Sequence, residues 1–265
     1  MNSTENEIYH QHCYGSNYFW VKSKSCETLL GKFCNESSRM PLVSDQLEFL
    51  YDELLKNCLN LFFPREKKVI TTRMKEIMAE GVLESDFLDE NSKVVLASIA
   101  RAGIIPSQQI FKKLHLFFHP ENLRQDHFYL SRKVNEKNEV IGVNHAGSKV
   151  GGDAADSIVI CPDPMGATGS TIDYTYHYYQ NLSLQKPLAI VALHLIVTPE
   201  YLLRMKNNCP EIKVVFLRRD RGLSSEKALQ EIPGKLWASE RGLNDHDYIV
   251  PGAGGIGEIL NNSFC

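Results

Sequence analysis

The chain has 265 residues, 43% of them hydrophobic and 23% charged, with a formal net charge of −3. That length suits one sizeable α/β domain with additions, and the slightly acidic balance excludes a global basic field that would draw in nucleic acid. Seven cysteines (Cys13, Cys26, Cys34, Cys58, Cys161, Cys209 and Cys265) contain no CxxC pair, so their spacing suggests neither a disulfide framework nor a zinc site, and a reduced, cytoplasmic protein is expected.

The N-terminal MNSTENEIYHQH lacks the basic region and apolar core of a secretory signal. No apolar run approaches the ~18 residues of a membrane span, so no membrane partner is expected. Residues 1–43 are polar, with aromatic residues at Tyr14, Tyr18, Phe19 and Trp20 and no clear period. They read as an extension that packs on the body or on a partner subunit, followed by a main domain over 44–265. Leu47, Leu50, Tyr51, Leu54, Leu55 and Cys58 recur at helical spacing, with Ser44 as the expected N-cap. A second helix is expected over about 66–80, with Val69, Met74, Ile77 and Met78 on one face.

From there the pattern changes. Nearly continuous apolar runs at Val94–Ala100, Ile158–Cys161, Leu188–Val197 and Ile212–Leu217 read as buried strands. Helical stretches separate them at about 106–117, 170–181 and 199–207. Buried strands alternating with helices predict a mostly parallel sheet covered on both faces. HFYLSRKVNEKNEVIGVNHAG, over 127–147, reads as a β-hairpin arm, and the charged 218–235 stretch as an inserted helix or loop.

One turn carries chemistry. In Ile158–Asp173, IVICPDPMGATGSTID, a buried strand stops at Asp163, and a loop of small and hydroxyl residues opens a helix. Ligands of open α/β sheets bind beyond the carboxyl ends of the strands. Backbone N–H groups over Ala167–Thr171, with the hydroxyls of Thr168, Ser170 and Thr171, make a phosphate cradle at a helix start, and Gly169 permits close backbone approach. A carboxylate ahead of such a loop suits a sugar phosphate. An ordinary strand-to-helix turn capped by Asp163 fits the same residues. No Gly-Lys-Ser/Thr follows, so the loop is not a P-loop.

DPMGATGST resembles the phosphoribosyl-diphosphate (PRPP) loop of the uracil phosphoribosyltransferase family, DPMLATGGS. VVLASIARAG at 94–103 is similar to that family's strand ending in Leu-Arg-Ala-Gly. ASERGLNDHDYIVPGAGGIGE at 238–258 is similar to its Gly-Leu-Asn segment followed by YIVPGLGDAGD. The motifs occur in the family's order and cover the chain from about 90 onward, with a looser match over 44–90. The resemblance implies a phosphoribosyltransferase-type α/β fold with a hairpin arm and a C-terminal hood. It also implies transfer of 5-phosphoribosyl from PRPP to uracil, giving UMP and diphosphate, with Mg2+ as cofactor.

Carried over residue by residue, Arg101 is the diphosphate arginine and Arg132, on the hairpin, the second. Arg101 and Asp163 are the expected catalytic residues. Asp163, Pro164, Met165, Gly166, Ala167, Thr168, Gly169, Ser170 and Thr171 form the PRPP loop, with Asp163 on the ribose hydroxyls. Ile249, Gly254, Gly255 and Ile256 flank the base. The family's pattern breaks at Gly255, where it has Asp, and at Ile259, where it has Arg. Its second Asp is Glu258, the residue expected to reach Mg2+ through PRPP. Gly166 replaces Leu, and Ser170-Thr171 stand where Gly-Ser is usual.

These departures lie on the base and metal side. Two alternatives therefore stay open: transfer to a different heterocycle, or a catalytically weak nucleotide-binding regulator. The expected partners are PRPP and a pyrimidine-like base, with a homodimer or larger homo-oligomer. His115, His119 and the other histidines read as surface or packing residues, and Cys161 as a small buried hydrophobe. Tyr174, Tyr176, Tyr178 and Tyr179 read as packing or dimer contacts. Arg218, Arg219 and Arg221 read as a solvated patch or, alternatively, an effector or subunit contact.

Overall fold

From edge to edge the central sheet runs Tyr18–Trp20, Lys213–Arg219, Ala189–Val197, Ser157–Pro162, Lys93–Ala100, Leu123–Val134 and Val140–Lys149. The computed structural model describes residues 8–134, 140–182 and 184–263. Its strands are β1 (Tyr18–Trp20), β4 (Lys93–Ala100), β5 (Leu123–Val134), β6 (Val140–Lys149), β7 (Ser157–Pro162), β9 (Ala189–Val197) and β10 (Lys213–Arg219), and β8 (Met165–Gly166) pairs with β9. All neighbours are parallel except β5 and β6, the two arms of the expected hairpin. Its turn, 135–139, lies outside the described residues.

Side-chain alternation along the strands explains the two-faced burial. In β4, Val94 and Leu96 point to one core while Val95, Ala97 and Ile99 point to the other; β7 divides Ile158 and Ile160 from Val159 and Cys161 in the same way. The first face is covered by α1 (Lys24–Phe33), α2 (Leu42–Phe62) and α3 (Ile104–Leu114), with Leu47, Leu50, Leu54 and Cys58 as the contact stripe of α2. The second is covered by α4 (Ser170–Asn181) and α5 (Pro199–Asn208) through Ile172, Tyr176, Tyr179, Leu202 and Met205. Tyr176 and Tyr179 are thus packing residues, and the buried Tyr179 hydroxyl donates to Asp126 Oδ2 at 2.8 Å. Cys161 is buried among apolar neighbours as expected. The described cysteines are free thiols.

Three local expectations need correction. The helix α2 starts at Leu42 behind Pro41, whose side chain makes no cap bond, and Ser44 lies inside its first turn. Residues 66–80 are not a helix. Arg65–Thr71 forms β2, Arg73–Glu76 a single 3-10 turn, and Val82–Leu88 forms β3, antiparallel to β2 with Arg65 opposite Leu88. Val69, Met74, Ile77 and Met78 are exposed, so no buried helical stripe exists to outweigh the strand preference of the β-branched run Val69-Ile70-Thr71-Thr72. The third concerns the basic knot of Arg218, Arg219 and Arg221; the 218–235 stretch itself holds a turn and the helix α6 (Glu226–Gln230), as expected. Arg221 Nη1 donates to Glu240 Oε1 at 2.7 Å and to Ala228 O at 2.7 Å. Arg218 forks onto Asp220 at 2.7 and 2.8 Å. The apparent basic knot therefore consists largely of internal ion pairs.

The described part of the extension, residues 8–43, lies on the body. Tyr18–Trp20 pairs parallel with β10, and Trp20 Nε1 donates to Leu217 O at 3.0 Å. Tyr14 donates its hydroxyl to Glu240 Oε2, and Gly234 N donates to Glu240 Oε1 at 2.8 Å. The Glu240 side chain is fully buried, so removing it leaves the buried Arg221 guanidinium with backbone carbonyls but no counter-ion. Glu240→Ala is expected to cost about 3 kcal/mol of stability, read as a lower urea midpoint. An unchanged midpoint would contradict this role.

Candidate active site

The carboxyl ends of β4, β5 and β7 open into a cavity of about 640 Å³, closed above by residues 247–258. Its lining includes the loop from Asp163 to Thr171. Asp163 ends β7, and its Oδ1 accepts from Met165 N at 3.3 Å. The Pro164 carbonyl accepts from Leu195 N and Ile196 N, both at 3.1 Å, which ties the loop to β9. Gly169 takes φ +80 as the residue before α4, a conformation that favours glycine. A Cβ there would also meet Met205, Tyr201 and Arg204 at 3.0–3.3 Å. A Cβ on Gly166 would stand 3.0–3.2 Å from Val197 and the Tyr201 ring, so a larger residue there requires these side chains to shift.

Arg101, Asp163, Met165, Gly166, Ala167, Thr168, Gly169, Ser170, Thr171, Ile249, Gly254, Gly255 and Ile256 all line the cavity, and so does Glu258. Pro164 does not line it and acts through its carbonyl. Arg132 lies on β5 opposite Val143, and its side chain is outside the described residues.

The acid and base pairing at the cavity mouth is specific. Arg101 Nη2 donates to Glu258 Oε1 at 3.1 Å, and Nη1 donates to Ser263 O at 3.1 Å. Glu258 sits on α7 (Ile256–Asn261) and folds back over Gly255. A Cβ on Gly255 would stand 2.3 Å from Glu258 Oε2. The carboxylate of Glu258 therefore occupies the space that a side chain at 255 would take, beside the arginine.

Several positioning residues were not singled out from sequence. Asp220 Oδ2 accepts from Gly252 N at 2.8 Å, and Arg218 Nη2 donates to Gly252 O at 3.0 Å. One ion pair thus grips both backbone groups of the hood. Glu200 accepts from Gly242 N at 2.9 Å and from Leu243 N at 3.2 Å. The spacing Arg218-x-Asp220 at the end of an apolar strand, which places both side chains on one face, was the available signal.

His194 is fully buried on β9 beneath the loop. Its Nδ1 lies 2.5 Å from the Asp163 carbonyl and its Nε2 lies 2.6 Å from the Tyr201 hydroxyl. A carbonyl only accepts, so Nδ1 carries the proton and Nε2 accepts from Tyr201. Burial pushes its pKa down to about 4, so it is neutral at pH 7. The unfolded chain takes this proton near 6.5 and so binds more protons than the folded one between about 6.5 and 4. Stability is therefore expected to fall as pH drops through that window, by about 3 kcal/mol from this group. His194→Gln should flatten the melting temperature against pH there, whereas a profile parallel to wild type would contradict the assignment.

No family model matches the chain. Curated relatives do. It is 26% identical over 246 residues to "Uracil phosphoribosyltransferase" of Porphyromonas gingivalis, covering 88% of the chain and 93% of the relative. It is 27% identical over 193 residues to the protein of that name from Thermococcus kodakarensis, covering 73% and 68%. The match to the Caldanaerobacter subterraneus protein of that name, 24% identical, covers 63% of the chain and spans 64% of the relative's length. A solved structure from Aquifex aeolicus aligns with a TM-score of 0.68 at 21% identity, over 92% of this chain and 97% of that one, a likeness of fold. The motifs, the parallel sheet with its hairpin arm and hood, and these relatives converge: the chain is similar to proteins named uracil phosphoribosyltransferase and shares the fold of the Aquifex aeolicus structure.

Proposed function

We propose that the chain is a pentosyltransferase that moves 5-phosphoribosyl from PRPP to uracil, forming UMP and diphosphate. The observation that carries this reading is a single cavity lined by the Asp163–Thr171 loop, Arg101 and the hood residues Ile249–Gly257. The N–H groups at the start of α4 suit the 5-phosphate, and the Asp163 carboxylate suits the ribose hydroxyls. Arg101 is the charge-assisted donor for the diphosphate. Its fork is held by Glu258 and Ser263, so ligand oxygens exchange with those acceptors. In the reaction the C1–O bond to diphosphate breaks, the bond from the base nitrogen to C1 forms, and the nitrogen's proton leaves to solvent. The protein's part is alignment of the two substrates and stabilisation of the departing charge.

Asp163 and Glu258 are hard oxygen donors on one cavity, a set that fits Mg2+. Bound with PRPP, that ion would neutralise diphosphate charge. Support for a homo-oligomer comes from the β2–β3 hairpin, which exposes Val69 and Ile77 at 64% and 75%, a surface suited to a second copy. Among the described residues no helix is long and apolar enough to cross a membrane. The free cysteines support a reducing, cytoplasmic setting.

Gly255 and Ile259 favour a second reading, transfer to a different heterocycle. The test is incubation with Mg2+, PRPP and uracil, followed by mass spectrometry. UMP with equimolar diphosphate supports the uracil reading. Diphosphate release with another base but not uracil supports the second.

A further inference from the structure

We propose that Asp173, His177 and Cys209 form a binding site for one zinc-class divalent metal ion, outside the PRPP cavity. Asp173 and His177 are four residues apart on α4 and so share a helix face. Cys209 ends α5, the helix packed beside it. Asp173 Oδ1 lies 3.3 Å from His177 Nε2 and 3.8 Å from Cys209 Sγ. All the ligand atoms lie within 4.8 Å of one another. In a tetrahedral zinc site, metal–ligand bonds of about 2.0 Å to oxygen and nitrogen and 2.3 Å to sulfur place such atoms about 3.3–3.6 Å apart. The cluster needs little adjustment to reach that.

The carboxylate is divided in the sense a metal site requires. Oδ1 faces the imidazole and the thiol. Oδ2 is held from behind by Asn208 Nδ2 at 2.7 Å and by Arg204 Nε at 3.5 Å. Partners of that kind fix the orientation of a ligating carboxylate. Arg204 also donates through Nη1 to Ser170 Oγ and, at 3.3 Å, to Thr168 O, so its cation is directed toward the phosphate loop. One sulfur, one imidazole nitrogen and one carboxylate oxygen select zinc or cobalt over magnesium or calcium. On binding, the thiol proton leaves to solvent, and thiolate and carboxylate balance the dication. Cys209 is buried, whereas the His177 side chain is 51% exposed. Asp173 and His177 border a cavity of about 650 Å³ walled by Tyr174, Tyr178 and Leu182. The fourth coordination position therefore opens to that cavity, and water or a small anion can take it. The ion would clamp the helix that begins at the phosphate loop to the end of α5. Sequence spacing hid this site because its ligands come from two helices.

The test is titration of the full-length, chelator-stripped protein with Co2+, followed by absorption. Expected are a thiolate-to-cobalt band in the near ultraviolet and tetrahedral bands in the visible, saturating at one equivalent and bleached by Zn2+. Cys209→Ser should abolish the thiolate band with the far-ultraviolet circular dichroism retained. His177→Ala, at a half-exposed position, should weaken binding by about tenfold or more, and it decides the matter if the serine variant fails to fold. Absence of the thiolate band, its persistence in Cys209→Ser, or unchanged affinity in His177→Ala would overturn the site. The readout does not involve phosphoribosyl transfer, so the two readings fail separately.

Discussion

Asp163→Asn is expected to lower phosphoribosyl transfer by roughly a hundredfold or more while leaving the fold intact. The substitution keeps size and preserves an acceptor for Met165 N, whose bond to Oδ1 shapes the turn. It removes one negative charge from the cavity floor. That charge has two uses in the proposed reaction: it accepts hydrogen bonds from ribose hydroxyls, and it faces a C1 centre that gains positive character as diphosphate departs. Both uses are stronger in a partly enclosed site than in water. The check is steady-state turnover alongside thermal melting. A fall in turnover with an unchanged melting temperature fits the account, and near-normal turnover contradicts it.

Glu258→Ala is expected to reduce turnover by about ten- to a hundredfold, and adding Gly255→Asp to it should restore much of the loss. The carboxylate of Glu258 fills the space above Gly255 and pairs with Arg101, so under the proposed reaction it would stand in for the acid that the similar family carries at 255. Gly255→Asp alone brings a second carboxylate into that space. The atom it meets is the tip of a flexible side chain, so the fold should tolerate it. Glu258 is instead pushed from Arg101, and two like charges are left together. The single variant should therefore lose activity, although it moves the sequence toward the family. A double-mutant cycle measures this, with a coupling of about 1 kcal/mol or more expected between the positions. Additive effects would show that the two residues act independently.

The parallel sheet was legible because its strands are buried on both faces and read as continuous apolar runs. Val94–Ala100, Ile158–Cys161 and Leu188–Val197 fall within a residue or so of β4, β7 and β9. The loop lining the cavity was legible because it is local: Asp163 and the residues through Thr171 are contiguous. The β2–β3 hairpin was misread because Val69, Met74, Ile77 and Met78 match a helical period by chance while staying exposed. The deciding partner, VLESDFL at 82–88, is masked by its charges. The hood's anchor was only half legible, because Arg218-x-Asp220 signals two charges on one face but not what they hold. Arg218 and Asp220 act on Gly252, 32 residues or more away, and only the fold brings them together. The return of Glu258 over Gly255 likewise depends on the start of α7, which spacing alone does not reveal. His194 looked like any buried histidine until its contacts with the Asp163 carbonyl and Tyr201 were known.

The proposed reaction requires that the cavity over the Asp163–Thr171 loop hold PRPP. Equilibrium dialysis of labelled PRPP with Mg2+ against the full-length protein tests it most directly, with no base present and no turnover required. Saturable binding of one PRPP per chain is expected, weakened in Arg101→Ala and in Asp163→Asn. Absence of saturable binding, or binding indifferent to both substitutions, would contradict it.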